Sequence, residues 1–140
     1  MTKISTRRER QSPPSQNVVI LGSGGLAREI AWLIAEINAA GDGNWNIIGF
    51  WNNKHKETGQ VISGYPVLSE DDIARHLPEL FAVAAIGNPD YRQRAVEEAR
   101  SLGCLFTKLI HPDVRYDHST VEIGVGSIVC AGNILNYPRL

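Results

Sequence analysis

An α/β fold, a parallel sheet with helices on its faces, is predicted by three features of the 140-residue sequence. Short continuous apolar runs alternate with segments of helical periodicity. A glycine-rich turn joins the first run to the first helix, and beyond His111-Pro112 the chain falls into six-residue units.

Residues 1–16 carry Lys3, Arg7, Arg8 and Arg10, then Pro13 and Pro14, with almost nothing apolar, and read as a disordered leader. Order is expected from Asn17, where Val18-Val19-Ile20-Leu21 has the composition of a strand buried on both faces. Ala27, Ile30, Ala31, Ile34 and Ile37 or Asn38 keep the spacing of a helix with one buried face, opening at Gly25 and stopped by Gly41 and Gly43. Ile47 to Trp51 reads as the second strand, followed by a polar loop from Asn52 to Gln60 and a short segment from Gly64 to Leu68.

Ser69 with Asp72 three residues on predicts a capping box for a brief helix through about Leu77. Phe81 to Ile86 is the third buried strand, closed by Gly87. Asn88-Pro89 joins a capping side chain to a proline whose missing N–H costs nothing at the first helical position. Ala95, Val96, Ala99 and Leu102 give that helix its apolar face, Gly103 suits its left-handed end, and Leu105 to Ile110 is expected as one further strand. Ile123 to Ile128 and Val129 to Ile134 are two six-residue units, each opening on an aliphatic residue, with Leu135 where a third begins. Such spacing marks a β-helix, although two units alone are also what a glycine-rich tail produces by chance.

The net charge of −1 supplies no basic field for a polyanion, and no local cluster argues for nucleic acid. Cys104 and Cys130 form no metal-ligand pattern and are expected as reduced, packed thiols; no metal is expected. No apolar run approaches the roughly 18 residues of a membrane span, and the basic N-terminus lacks an apolar segment behind it, so the reading is a cytoplasmic protein with no membrane partner.

Gly22-Ser23-Gly24-Gly25-Leu26-Ala27 is a GxGxxA sequence between a strand and a helix, where backbone N–H groups approach a phosphate at the positive helix end. A turn that is glycine-rich only for packing is the alternative. A dinucleotide site calls for an acid at the end of the second strand, yet Trp51-Asn52-Asn53 stands there, which argues against an ordinary NAD site. Ile86-Gly87-Asn88 ends the third strand at the same sheet edge, with Asn88 as cap, ligand contact or both, and Arg92 and Arg94 beyond it are read as solvated. The sequence alone assigns no serine, cysteine or carboxylate partner to His111 or His118; His111 is expected to fix a strand exit, and His55 and His76 to be solvent-exposed.

Taken together, GSGGLAREIAWLI, the IIGFWNN strand end, SGYPVL, AIGNPDYRQR, LIHPDV and the hexads closely resemble the sugar O- or N-acetyltransferases of the sialic-acid and bacillosamine type. The resemblance implies a Rossmann-like domain over residues 17–112, then a left-handed β-helix beginning at 113–140. It implies acetyl transfer from acetyl-CoA to a hydroxyl or amine of a sugar, often one carried on UDP, by homotrimers that hold acetyl-CoA between neighbouring β-helices. The nucleotide sugar then maps onto Gly22, Ser23, Gly24, Gly25, Asn52, Asn53, Ile86, Gly87 and Asn88.

Two departures matter: Leu26 stands where the family often has His, and Asn52-Asn53 where it usually has Asp. The family's catalytic histidine lies in β-helix turns beyond the one turn present here. The expectation is therefore a truncated chain with no catalytic residue and without the acetyl-CoA site, in a monomeric or weakly associated state. An NAD-binding oxidoreductase fragment and a non-catalytic nucleotide-binding module are the rival readings.

Overall fold

Along the chain the elements are β1 (Gln16–Leu21), α1 (Gly25–Ala39), β2 (Trp45–Trp51), a 3₁₀ turn (His55–Glu57), β3 (Val61–Ile62), β4 (Tyr65–Pro66) and α2 (Glu70–Arg75). They continue with β5 (Leu80–Ala84), α3 (Pro89–Leu102), β6 (Leu105–Phe106), β7 (Leu109–Ile110), β8 (Arg115–Tyr116), β9 (Ile128–Val129) and β10 (Ile134–Leu135). The structure is a computed structural model that describes residues 15–52 and 55–136, with His55 described by its backbone alone. Residues 1–14 of the expected leader, Asn53 and residues 137–140 lie outside the described residues, and Gln16, expected as the leader's last residue, instead opens β1 by pairing with Trp45.

Four parallel strands form one sheet in the order β2-β1-β5-β6. Side chains alternate along β1, so Val18 and Ile20 join one core while Val19 and Leu21 join the other, and all four are fully buried. On the first face α1 lays Ile30, Leu33, Ile34 and Ile37 against the sheet, together with Phe50 and Val83. On the second, Ile73 of α2 and Ala99 of α3 cover Leu80, Ala82 and Trp51. At about 1.5–3 kcal/mol for each large aliphatic side chain buried, α1 is fixed far more firmly than α3, whose one fully buried residue is Ala99.

β1 and β2 slip by one residue, Val18 pairing with Ile47 and Val19 with Gly49. Gly49 is required there, because a Cβ would stand 2.4 Å from the Pro66 carbonyl oxygen. The capping box is as predicted: Ser69 Oγ accepts from Asp72 N, and Asp72 Oδ2 accepts from Ser69 N. Asn88 Oδ1 accepts from the N–H groups of Asp90 and Tyr91, and Gly103 ends α3 at φ 102°.

Three elements differ from expectation. Residues 61–66 form a hairpin whose central Ser63 and Gly64 both have positive φ, a turn that matches strand twist. The short helix ends at Arg75 with His76 as its cap. The single strand expected over residues 105–110 is two: β6 completes the sheet, and after Thr107-Lys108 the chain leaves that layer so that β7 pairs with β9.

Beyond the sheet, β7 pairs with β9 and β8 with β10, both in parallel. Leu109 meets Ile128 and Arg115 meets Ile134, the same offset of 19 residues in both ladders. One solenoid coil is thus laid on another, as the six-residue spacing anticipates. Leu109 is buried in the α1-side core and Ile128 packs against it, so the coil is anchored to the sheet. His111, directly after β7, reinforces the join: Nε2 lies 2.9 Å from Glu36 Oε2 on α1, and Nδ1 lies 2.9 Å from Asp113 Oδ1. Asp113 Oδ1 also accepts from Gly132 N, which holds its carboxyl below the usual carboxylate range.

Candidate functional site

In an open parallel sheet, ligands bind beyond the carboxyl ends of the strands where the strand order reverses. Here the chain moves from β1 outward to β2 and then returns to place β5 on the other side of β1. The turns after β1 and β5 consequently flank one crevice. A cavity of about 490 Å³ occupies it, within the range of small-molecule sites.

Gly22, Ser23, Gly24, Gly25, Asn52, Ile86 and Gly87 all line this cavity, so seven of the nine positions expected from sequence converge. Asn88 does not line it: its Oδ1 is committed to two backbone N–H groups of α3. Asn53 lies outside the described residues. A second cavity of about 500 Å³ shares Trp51, Asn52, Arg94 and Glu98 with the first and extends along α3, so the two make one elongated cleft.

The helix starts differ in a way that bears on charge. Ser69 caps α2, which has Glu70, Asp71 and Asp72 in its first turn, and Asn88 caps α3, which has Asp90. α1 begins at Gly24 with no side-chain cap and no acid in its first turn. Its first N–H groups point along the helix axis toward the cavity, where an anion gains both hydrogen bonds and the helix dipole.

Beside that turn is a cluster that sequence reasoning missed. Asn52 Nδ2 donates to Ser23 Oγ at 2.6 Å and to Glu57 Oε2 at 2.6 Å, and Ser23 Oγ donates to the same Glu57 oxygen. The 3₁₀ turn five residues later thus brings a carboxylate to the end of β2. Absence of a carboxylate no longer separates an NAD site from any other nucleotide site.

Tyr91, Arg94 and Glu98 on α3 also line the cavity, with the Arg94 guanidinium 5.9 Å from the Tyr91 ring centroid. Arg94 thus belongs to the cleft although sequence reading left it in solvent, while Arg92 reaches the Ile86 carbonyl at 3.5 Å. His76 is half-buried, its Nδ1 2.8 Å from the Asp72 carbonyl oxygen, rather than solvent-exposed. His118 stacks against Tyr116 with ring centroids 4.0 Å apart, and the side chain of His55 is outside the described set. Cys104 is buried as expected, and burial pushes its thiol up; Cys130 is exposed, against the expectation of a packed thiol.

Among the described residues no cluster of three or more His, Cys, Asp or Glu is placed to hold a metal ion, and no helix is long and apolar enough to cross a membrane. The family model described as the PglD N-terminal domain matches residues 17–99, more than half of the chain. The chain belongs to the PglD N-terminal domain family. The matched span takes in the glycine turn, the Ser23–Asn52–Glu57 cluster and most of α3.

Solved structures agree with that family. The chain is similar to a mutant of perosamine N-acetyltransferase from Caulobacter crescentus in complex with CoA and GDP-perosamine, at 28% identity and a TM-score of 0.66, over 86% of this chain and 54% of that one. It is similar to the acetyltransferase domain of PglB from Neisseria gonorrhoeae in complex with acetyl coenzyme A, at 26% identity and a TM-score of 0.65, over 86% of this chain and 56% of that one. The chain therefore spans about half the length of these structures. No curated protein sequence matches it significantly.

Proposed function

We propose that this PglD N-terminal domain, taken as residues 17–112, binds a nucleotide-linked sugar in the cleft at the β1/β5 switch point. The whole protein would present that sugar for acetylation from acetyl-CoA. The observation that carries the reading is the bare N-terminus of α1 opening on the cavity. Backbone N–H groups at Gly24 and Gly25 hold the diphosphate, Gly87 lines the facing wall, and Asn52 stands on the nucleoside side.

Support comes from size as well as charge. The two joined cavities give room for a nucleotide and a sugar end to end. The solved perosamine N-acetyltransferase in complex with CoA and GDP-perosamine, and the PglB domain in complex with acetyl coenzyme A, support a nucleotide-linked sugar as acceptor and a CoA thioester as donor; no described residue is assigned to the donor. The expectation of a UDP-linked sugar is carried forward beside GDP, and both bases enter the test.

Amide NMR spectra of the chain during titration with UDP and GDP provide that test. The reading expects the resonances of Gly24, Gly25, Leu26 and Gly87 to move with either nucleotide. Saturating nucleotide that leaves these four unmoved sinks it.

A further inference from the structure

A nucleoside bound at a Rossmann-type switch point presents its ribose hydroxyls beside the glycine turn, and an acid after the second strand ordinarily accepts their hydrogen bonds. At that strand end this chain has Trp51-Asn52, and the nearest acid in the structure arrives from the following 3₁₀ turn. Glu57 reaches back so that one carboxylate oxygen meets both Ser23, the residue between Gly22 and Gly24, and Asn52.

We propose that Glu57 is the specificity-determining acceptor for the ribose hydroxyls of the bound nucleotide, with Asn52 as the residue that positions it. The inference rests on the nucleotide-sugar reading above and adds to it the group that recognises the ribose.

Three features of the cluster carry it. The carboxylate already accepts an O–H donor, Ser23 Oγ, so the contact a ribose hydroxyl requires is built, and exchanging one hydroxyl for another conserves hydrogen bonds. Asn52 holds Glu57 by a neutral amide donor, which fixes the carboxylate without cancelling its charge. Ser23 and Asn52 both line the cavity, so the carboxylate they hold stands directly behind its wall at the glycine turn rather than at the far end of the cleft. The alternative, a carboxylate lying against the phosphates, would weaken binding by like-charge repulsion.

Calorimetric titration of the full chain and of Glu57→Gln and Glu57→Ala with GDP, UDP, dGDP and dUDP separates these cases. The unaltered chain is expected to prefer the ribonucleotides roughly tenfold, and both variants to lose about that factor for ribonucleotides while binding the 2′-deoxy forms as before. Equal affinity of the unaltered chain for ribo and deoxy forms overturns the inference and leaves the nucleotide-sugar reading standing. Ribonucleotide binding that is unchanged or tighter in the variants does the same, and tightening places Glu57 beside the phosphates. An unaltered chain that binds none of the four overturns both.

Discussion

A Cβ placed on Gly22 would stand 2.7 Å from the carbonyl oxygen of Ala85, so the turns after β1 and β5 touch backbone to backbone. The neighbouring glycines are unlike it: a Cβ at Gly24 or Gly25 meets nothing within 4 Å. One glycine of the turn is needed for the fold, and the next two are left to be explained by what approaches them.

Gly22→Ala is accordingly expected to lower stability by about 2–4 kcal/mol, because it adds a clash to a residue held at φ +114°. Urea unfolding measures it. A loss under about 1 kcal/mol would mean that the two turns separate easily.

Gly24→Ala is expected to leave stability within about 1 kcal/mol of the unaltered chain and to weaken nucleotide binding roughly tenfold or more, because the methyl group occupies the anion's approach. Calorimetric titration with GDP and UDP, set beside urea unfolding of the same variant, checks both parts. Unchanged affinity would return the turn to a packing role.

Asp72 accepts from the Ser69 N–H and from Arg75, and the backbone hydrogen bond from Ser69 is the main reason its carboxyl stays below the usual carboxylate range. A depressed native pKa stabilises the fold above the unfolded value, and that contribution fades as pH falls through the native one. Asp72→Asn is expected to cost about 1 kcal/mol at pH 7. The deficit should shrink below the ordinary pKa of 3.8 and disappear at lower pH, followed by urea unfolding across the acid range. A deficit that does not change with pH would contradict the assignment.

Cys130 is exposed and Cys104 is buried with its thiol pushed up, so a thiol reagent at neutral pH is expected to label Cys130 alone in the folded chain and both after unfolding. Mass spectrometry of the labelled peptides reads the result. Rapid native labelling of Cys104 would show that the α3 side of the sheet opens.

The strands and helices that bury a face were legible from the residues. β1 and β5 are apolar runs with both faces covered, and the ends of α2 and α3 carry their signals locally in Ser69, Asp72, Asn88, Pro89 and Gly103. The break between β6 and β7 was not legible, because Leu109 leaves the sheet to meet Ile128, a partner far along the chain that no local periodicity reveals. Within the site, the strand-end residues Gly22 to Gly25, Asn52, Ile86 and Gly87 could be read because strand ends converge in a parallel sheet. Glu57 could not be read: it lies 34 residues from Ser23, in a polar loop without pattern, and only folding brings the two together. Arg94 and Glu98 were missed because their role depends on which side of α3 faces the cleft.

Thermal unfolding of the chain in the presence of GDP, UDP, a nucleotide-linked sugar or NAD tests the central claim most directly. A ligand at about 100 times its dissociation constant adds about 2.7 kcal/mol, which raises the midpoint of a domain this size by on the order of ten degrees. The account predicts such a rise with a nucleoside diphosphate and with its sugar conjugate. A rise with NAD alone, or no rise with any of the four, would contradict it.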